Sequence, residues 1–285
     1  MLNLALLATL QHLETAQFVG NNITNIYPPQ AAIVANIVTL NLSYNKLHRI
    51  DMSVLRSMEL MKVLNLEHNQ LSTIGYRPGE VVTLPSLIVL RLSSNKLERV
   101  SFAQLNATSL EYLSLSSNML NSLPDRLDNF PNLELLSLGN NQLESFDFTI
   151  LQSLSNLQSL ELYNNSLQSV DVPKEITLPS LQHLTLANNK LESVTLERLI
   201  APHLSFIDLS NNFLMAIPDV FEKDVTPLVS VNVVDNPLTC ATYEKHRKPI
   251  RFGVIIPKWI IQNLEICSTG TYFTLTDTRR VCCMA

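Results

Sequence analysis

The sequence predicts an α/β solenoid of about ten stacked repeats, each 23–26 residues long, closed by a cysteine-containing C-terminal cap. Three observations lead there. One apolar frame recurs along most of the chain. An asparagine marks each copy at nearly constant spacing. All four cysteines lie beyond residue 239. The composition agrees: 46% apolar and 16% charged residues can bury a core and do not describe a disordered chain. Six glycines in 285 residues argue against Gly-rich nucleotide-binding architecture. A net charge of −5 gives no electrostatic footprint for a phosphate backbone, so no nucleic-acid partner is expected. No apolar run reaches the ~18 residues that a membrane span requires.

The frame is L-x-x-L-x-L-x-x-N-x-L. Its clearest copies are Leu87-Leu90-Leu92-Asn95-Leu97, Leu110-Leu113-Leu115-Asn118-Leu120, Leu133-Leu136-Leu138-Asn141-Leu143, Leu157-Leu160-Leu162-Asn165-Leu167 and Leu181-Leu184-Leu186-Asn189-Leu191. Weaker copies carry Asn45, Asn69, Asn212 and Asn236, and a degenerate first copy carries Asn21. The steps between successive asparagines are 24, 24, 26, 23, 23, 24, 24, 23 and 24 residues. Self-similarity at this period and in this frame reads as a leucine-rich repeat horseshoe with a concave parallel β-sheet.

L-x-L alternates with period two, which makes each copy a short strand with its leucines on one face. One repeat cannot bury that face, and stacking neighbours makes a continuous core. Each fully buried Leu contributes about 1.5–3 kcal/mol, against ordering entropy of similar size. Stability therefore accumulates along the array. The asparagine follows the strand where the chain turns inward. Its amide both donates and accepts, so Asn45, Asn69, Asn95, Asn118, Asn141, Asn165, Asn189 and Asn212 are expected to form a buried ladder that satisfies backbone groups.

The longest step contains Gly75-Tyr76-Arg77-Pro78-Gly79, which predicts an extra turn on the convex or edge side. Leu-Pro-Ser-Leu at Leu84–Leu87 and Leu178–Leu181 places a proline just before the strand frame. Return segments such as Ser101 to Ser109 are too short for long helices, so brief helical or 3₁₀ turns are expected. Leu2 to Leu10 resembles the apolar region of a signal peptide. No basic residue precedes it, no small-x-small site follows, and the frame continues into Leu13, so a degenerate first repeat is expected. Residues 1–239 form the repeat region on this reading. Residues 240–285 form a cap, with Trp259, Ile255, Ile256, Ile260 and Ile261 covering the last repeat and a basic stretch at Lys245, Arg247, Lys248 and Arg251.

Cys240, Cys267, Cys282 and Cys283 in one short region suggest disulfides and an oxidising compartment. Joining the vicinal Cys282 and Cys283 would close a strained eight-membered ring. Two pairings remain, in which Cys240 and Cys267 each take one of the vicinal pair. The spacing fits no short-knuckle zinc pattern. N-glycosylation acceptors occur at Asn22, Asn41, Asn106 and Asn164, and are compatible with secretion.

Side chains between the frame leucines should point outward from the concave sheet, and most are small and uncharged. Tyr112 and Leu135 stand out on neighbouring strands. Tyr163, His183 and Phe206, with Glu161 and Asp208, make a mixed aromatic and acidic patch nearby. Aromatic anchors with polar rims are how protein interfaces concentrate binding energy, so these seven residues are the candidate partner-binding set. His12, His48, His68, His183, His203 and His246 recur at no nucleophile or metal spacing, and there is no P-loop or H-E-x-x-H motif. Neither an enzyme nor a cofactor or metal site is expected.

The cap narrows the reading. Asn236-Pro237-Leu238-Thr239-Cys240 is similar to the Asn-Pro-x-x-Cys opening of secreted leucine-rich repeat C-caps. With Cys267 and the vicinal Cys282-Cys283, it resembles the mosquito leucine-rich repeat immune (LRIM) family, in which a Cys-Cys closes the repeat domain just before a coiled coil. The resemblance implies haemolymph secretion, disulfide-linked assembly with another leucine-rich repeat chain, and binding of a complement-like thioester protein. The alternatives are the ectodomain of a receptor or adhesion protein, and an intracellular scaffold with reduced cysteines.

Overall fold

A computed structural model describes residues 2–4, 7, 10, 12–27, 36–56, 58–218, 230–260, 271–276 and 279–285. The chain divides into two compact units, Met1–Leu143 with Ile150–Ser159, and Glu144–Thr149 with Leu160–Ala285. Each is built as a parallel-strand solenoid, with about ten turns in all.

In the first unit the frame strands are Thr15–Gln17, Thr39–Asn41, Val63–Asn65, Val89–Arg91, Tyr112–Ser114 and Leu135–Ser137. They pair in parallel and in strict frame register, with Thr39 opposite Val63, Val63 opposite Val89, Val89 opposite Tyr112 and Tyr112 opposite Leu135. The middle residue of each strand points inward, and Leu40, Leu64, Leu90, Leu113 and Leu136 are fully buried. In the second unit His183–Thr185, Phe206–Asp208 and Ser230–Asn232 pair in the same way, over Leu184, Ile207 and Val231.

The asparagine ladder is present in both units. Asn118 Oδ1 accepts the Leu97 amide at 3.0 Å, and its Nδ2 donates to the carbonyls of Leu92 (3.0 Å), Leu115 (2.9 Å) and Ser116 (3.3 Å). Asn189 repeats the pattern with the Leu167 amide and the Leu162, Leu186 and Ala187 carbonyls. One amide thus ties its own turn to the one before it. Asn45, Asn69, Asn95, Asn118, Asn165, Asn189 and Asn212 are buried. Asn141 departs from the expectation: it is half-buried, although its bonds to Leu120, Leu115 and Leu138 are kept.

The residue before each ladder asparagine, from Tyr44 to Asp235, has a positive φ of 52–56°. That left-handed conformation turns the chain inward, and Asn, Asp and His tolerate it better than most residues. This explains the doubled Asn-Asn at 140–141, 164–165, 188–189 and 211–212: the first makes the turn and the second makes the ladder.

The return segments hold short 3₁₀ turns at Met52–Leu55, Leu127–Asn129 and Phe148–Leu151. Residues 101–109 differ from the expected helical turn. Leu105–Asn106 is a strand paired in parallel with Val82–Thr83, because the near-constant repeat length keeps this segment in register with the turn before it. Pro85 and Pro179 occupy the second position of tight turns closed by Leu87 N–H to Leu84 C=O and Leu181 N–H to Leu178 C=O, where a fixed φ is favourable. In the 75–79 insertion, Gly79 has φ +77°, and Arg77 N–H donates to Ser53 Oγ at 2.9 Å.

The cap continues the second unit. Ile255–Ile256 adds a parallel strand to Ser230–Asn232, burying Ile255, while Ile256 stays exposed. The helix Cys240–Lys245 is capped by Thr239 and packs Tyr243 on Phe273 of the hairpin strand Tyr272–Thr276, ring centroids 5.8 Å apart. Cys240 is joined to Cys283, which is one of the two pairings left open by the sequence, and Cys282 is also disulfide-bonded. Cys267, Ile261 and the Trp259 and Ile260 side chains lie outside the described residues.

Candidate protein-binding surface

The alternation that buries the frame leucines turns the residues on either side outward. In the first unit Tyr112 is 41% exposed, with half-buried Val89 and Leu135 opposite it on the flanking strands. One aromatic ring therefore stands between two aliphatic side chains. The next positions are polar and linked: Ser93 and Ser114 hydroxyls, and those of Ser116 and Ser137, lie 2.5 Å apart.

In the second unit the strands bring His183 and Phe206 side by side, ring centroids 6.4 Å apart, and set Thr185 beside Asp208. Glu161 ends the preceding frame strand Ser159–Glu161, and half-buried Tyr163 follows it. Asp208 also has a local task. Its Oδ1 accepts from the Ser210 amide at 3.0 Å and the Ser210 hydroxyl at 2.6 Å, which ends the strand in a tight turn. Asn41, Asn65 and Asn232 do the same in their own turns. Between and beside these groups, the Thr185 and Ser230 hydroxyls are buried and find no hydrogen-bond partner among the described residues.

Sequence reasoning also passed over Tyr44. It occupies a left-handed turn position, is 58% exposed and stacks on His68, ring centroids 4.2 Å apart and planes 11° apart. An aromatic residue where the other turns carry Asn, Ser, His or Asp was the available signal. Of the glycosylation acceptors, Asn22, Asn106 and Asn164 are exposed. Asn41 is half-buried in the sheet, its Oδ1 accepting the Ser43 amide at 3.0 Å. Among the described residues no cluster of His, Cys, Asp and Glu could hold a metal ion, and no helix is long and apolar enough to cross a membrane.

The family model for the leucine-rich repeat matches residues 35–97 and 131–191, and a two-copy model of the same repeat matches 108–153, so that together they span more than half of the chain. The chain is a leucine-rich repeat protein. No curated protein matches this leucine-rich repeat sequence. Solved structures do. TLR13 in complex with ssRNA13 aligns with a TM-score of 0.63 at 26% identity, over 79% of this chain and 32% of that one. The LRIM1/APL1C complex aligns with a TM-score of 0.61 at 22% identity, over 88% of this chain and 52% of that one. An octameric complex of latrophilin 3, Unc5D and the leucine-rich repeats of FLRT2 aligns with a TM-score of 0.66 at 21% identity, over 89% and 78%. The chain spans about a third of the first of these and about half of the second. The last two share the fold.

Proposed function

We propose that this leucine-rich repeat protein is a secreted recognition scaffold that binds another protein through the outward face of its parallel sheet. The observation that carries the reading is the outward-facing His183–Phe206 pair on neighbouring strands, with Tyr163, Glu161 and Asp208. Tyr112 with Leu135 offers a second, apolar contact in the first unit. The Cys240–Cys283 bond supports an extracellular setting, because such bonds persist where the environment is oxidising. The cap cysteine pattern and the likeness to the LRIM1/APL1C complex support a place in insect innate immunity, with a complement-like thioester protein or a second leucine-rich repeat chain as partner.

The test is binding of the purified chain to an immobilised insect complement-like thioester protein. Tyr163→Ala with Phe206→Ala should weaken binding by about 30-fold, the loss that truncating interface anchors brings, with the melting temperature kept. Undiminished binding by the double variant moves the site elsewhere, and no binding by the wild-type chain removes this partner. A receptor or adhesion ectodomain is the second reading, supported by the likeness to FLRT2 within its octameric complex. The full-length transcript separates the two: a heptad region after Cys283 favours the immune protein, and an apolar run of about 20 residues favours a membrane-anchored one.

A further inference from the structure

The basic stretch of the cap takes no part in that recognition surface. Residues 240–285 carry seven lysines and arginines against three acidic residues, whereas residues 1–239 carry thirteen against twenty-two. Positive charge is thus concentrated at one end of an acidic chain. Within the stretch, Tyr243, His246 and Ile250 are buried, and Lys245, Arg247, Lys248 and Arg251 are exposed. Arg247 and Arg251 are four apart and Lys248 and Arg251 three apart on the helix Arg247–Arg251, so their side chains are surface neighbours.

A run of charge on a helix is ordinarily no more than a solvated face. Two features of this one point to a ligand. First, the scaffold that carries it is fixed. The Arg247 guanidinium is held by both carboxylate oxygens of Glu244, at 2.7 and 3.1 Å, and lies 4.8 Å from the centre of the Phe273 ring. The Cys240–Cys283 bond and the Tyr243–Phe273 stack fasten the preceding helix to the hairpin. Groups ordered in advance lose less entropy on binding. Second, Phe252, directly after Arg251, is 79% exposed, the highest among the large apolar side chains of the described residues.

We propose that this face of the cap binds a sulfated polysaccharide. Lys248 and Arg251 would meet the sulfates, the Arg251 guanidinium fork suited to paired oxygens, while Arg247 stays paired with Glu244 beside them and Phe252 would lie against the apolar face of a sugar ring. Clustered basic residues of this kind are the electrostatic mark of polyanions, heparin-type chains among them. The acidic remainder of the chain repels a polyanion and confines it to the cap. An exposed ring directly beside the charges suits a sugar better than a bilayer, which rewards a broader apolar face.

The test uses the 285-residue protein and a heparin-derived oligosaccharide in titrations repeated across about 0.05–0.2 M NaCl. Lys248→Gln with Arg251→Gln should weaken binding by about tenfold and flatten its salt dependence, since two cation contacts are lost. Phe252→Ser should weaken it without changing the salt slope. Lys96→Gln with Arg99→Gln, which removes the same charge from exposed positions in the first unit, should change binding less than twofold. Unfolding curves and non-reducing mass spectrometry check that the variants keep the fold and the Cys240–Cys283 bond. The proposal is overturned if the wild-type chain does not bind the oligosaccharide, if desulfated heparin binds equally well, or if both charge variants lose binding alike. It is also overturned, in favour of a membrane surface, if phosphatidylserine vesicles bind through Phe252 while the oligosaccharide does not.

Discussion

Asn118 shows how much one side chain does in this fold. Its amide makes four hydrogen bonds to backbone groups in a position that is 8% exposed, so water cannot replace them. Asn118→Ala should lower stability by about 1–3 kcal/mol through the orphaned groups. Asn118→Asp is a sharper test, because a carboxylate keeps the acceptor for Leu97 and loses every donor. Asn141→Ala should cost less than Asn118→Ala, since half-buried groups regain some water. Urea midpoints of the three variants give the ranking, and equal midpoints for wild type and Asn118→Ala would remove the ladder as a source of stability. Asp147 is the residue-scale test of pH. Bonds from the Thr149 hydroxyl at 2.7 Å and amide at 2.9 Å hold its carboxyl below the ordinary carboxylate range. A carboxyl with a depressed folded-state value favours folding above its unfolded value and loses that contribution as pH falls through the folded one. Thr149→Val should therefore raise the Asp147 titration midpoint towards its ordinary value in an NMR pH series, and a midpoint that stays put would refute the cause given.

At the scale of elements, the strands and turns were the most legible and the return segments the least. A strand needs only the two-residue alternation and a turn needs a residue that accepts positive φ, and both are local properties of the frame. The Leu105–Asn106 strand was not legible, because it exists only through pairing with Val82–Thr83, one repeat away. The candidate site divides in the same way. Which residues face outward follows from alternation, so Tyr112, His183 and Phe206 could be named in advance. The trapped Thr185 and Ser230 hydroxyls and the Tyr44–His68 stack come from side-chain placement that no spacing encodes. The cap is the element whose geometry the sequence limited to two pairings. The Cys240–Cys283 bond closes a loop of sequence separation 43, tying the first helix of the cap to its last residues. Replacing both by Ser should cost about 2–4 kcal/mol, mainly by freeing the unfolded chain, and a shift in urea midpoint measures it. The loss should come with earlier protease cleavage in the cap. Cleavage that begins in the repeats instead would mean that the bond stabilises something other than its own element.

For the molecule as a whole, the repeat count was readable because the frame returns every 23–26 residues, and any other architecture would have to break that register. The energetics follow from the same regularity. Each inward leucine touches its own turn and its neighbours, so stability is close to a sum of turn and nearest-neighbour contributions. Leu113 tests this within the first unit. It is fully buried, and its strand pairs with Val89–Arg91 on one side and Leu135–Ser137 on the other. Leu113→Ala leaves a cavity in a core that stacking prevents from collapsing, so it should cost about 2–5 kcal/mol. The spatial pattern of the damage is the more telling measurement. Hydrogen exchange should speed up most at Tyr112–Ser114 and at the two strands paired with it, and fade with distance towards Thr39–Asn41. Amides of the disulfide-bonded cap should keep their protection. Faster exchange at every amide to the same degree would describe a single cooperative globule, and the picture of turns held by their immediate neighbours would have to be abandoned.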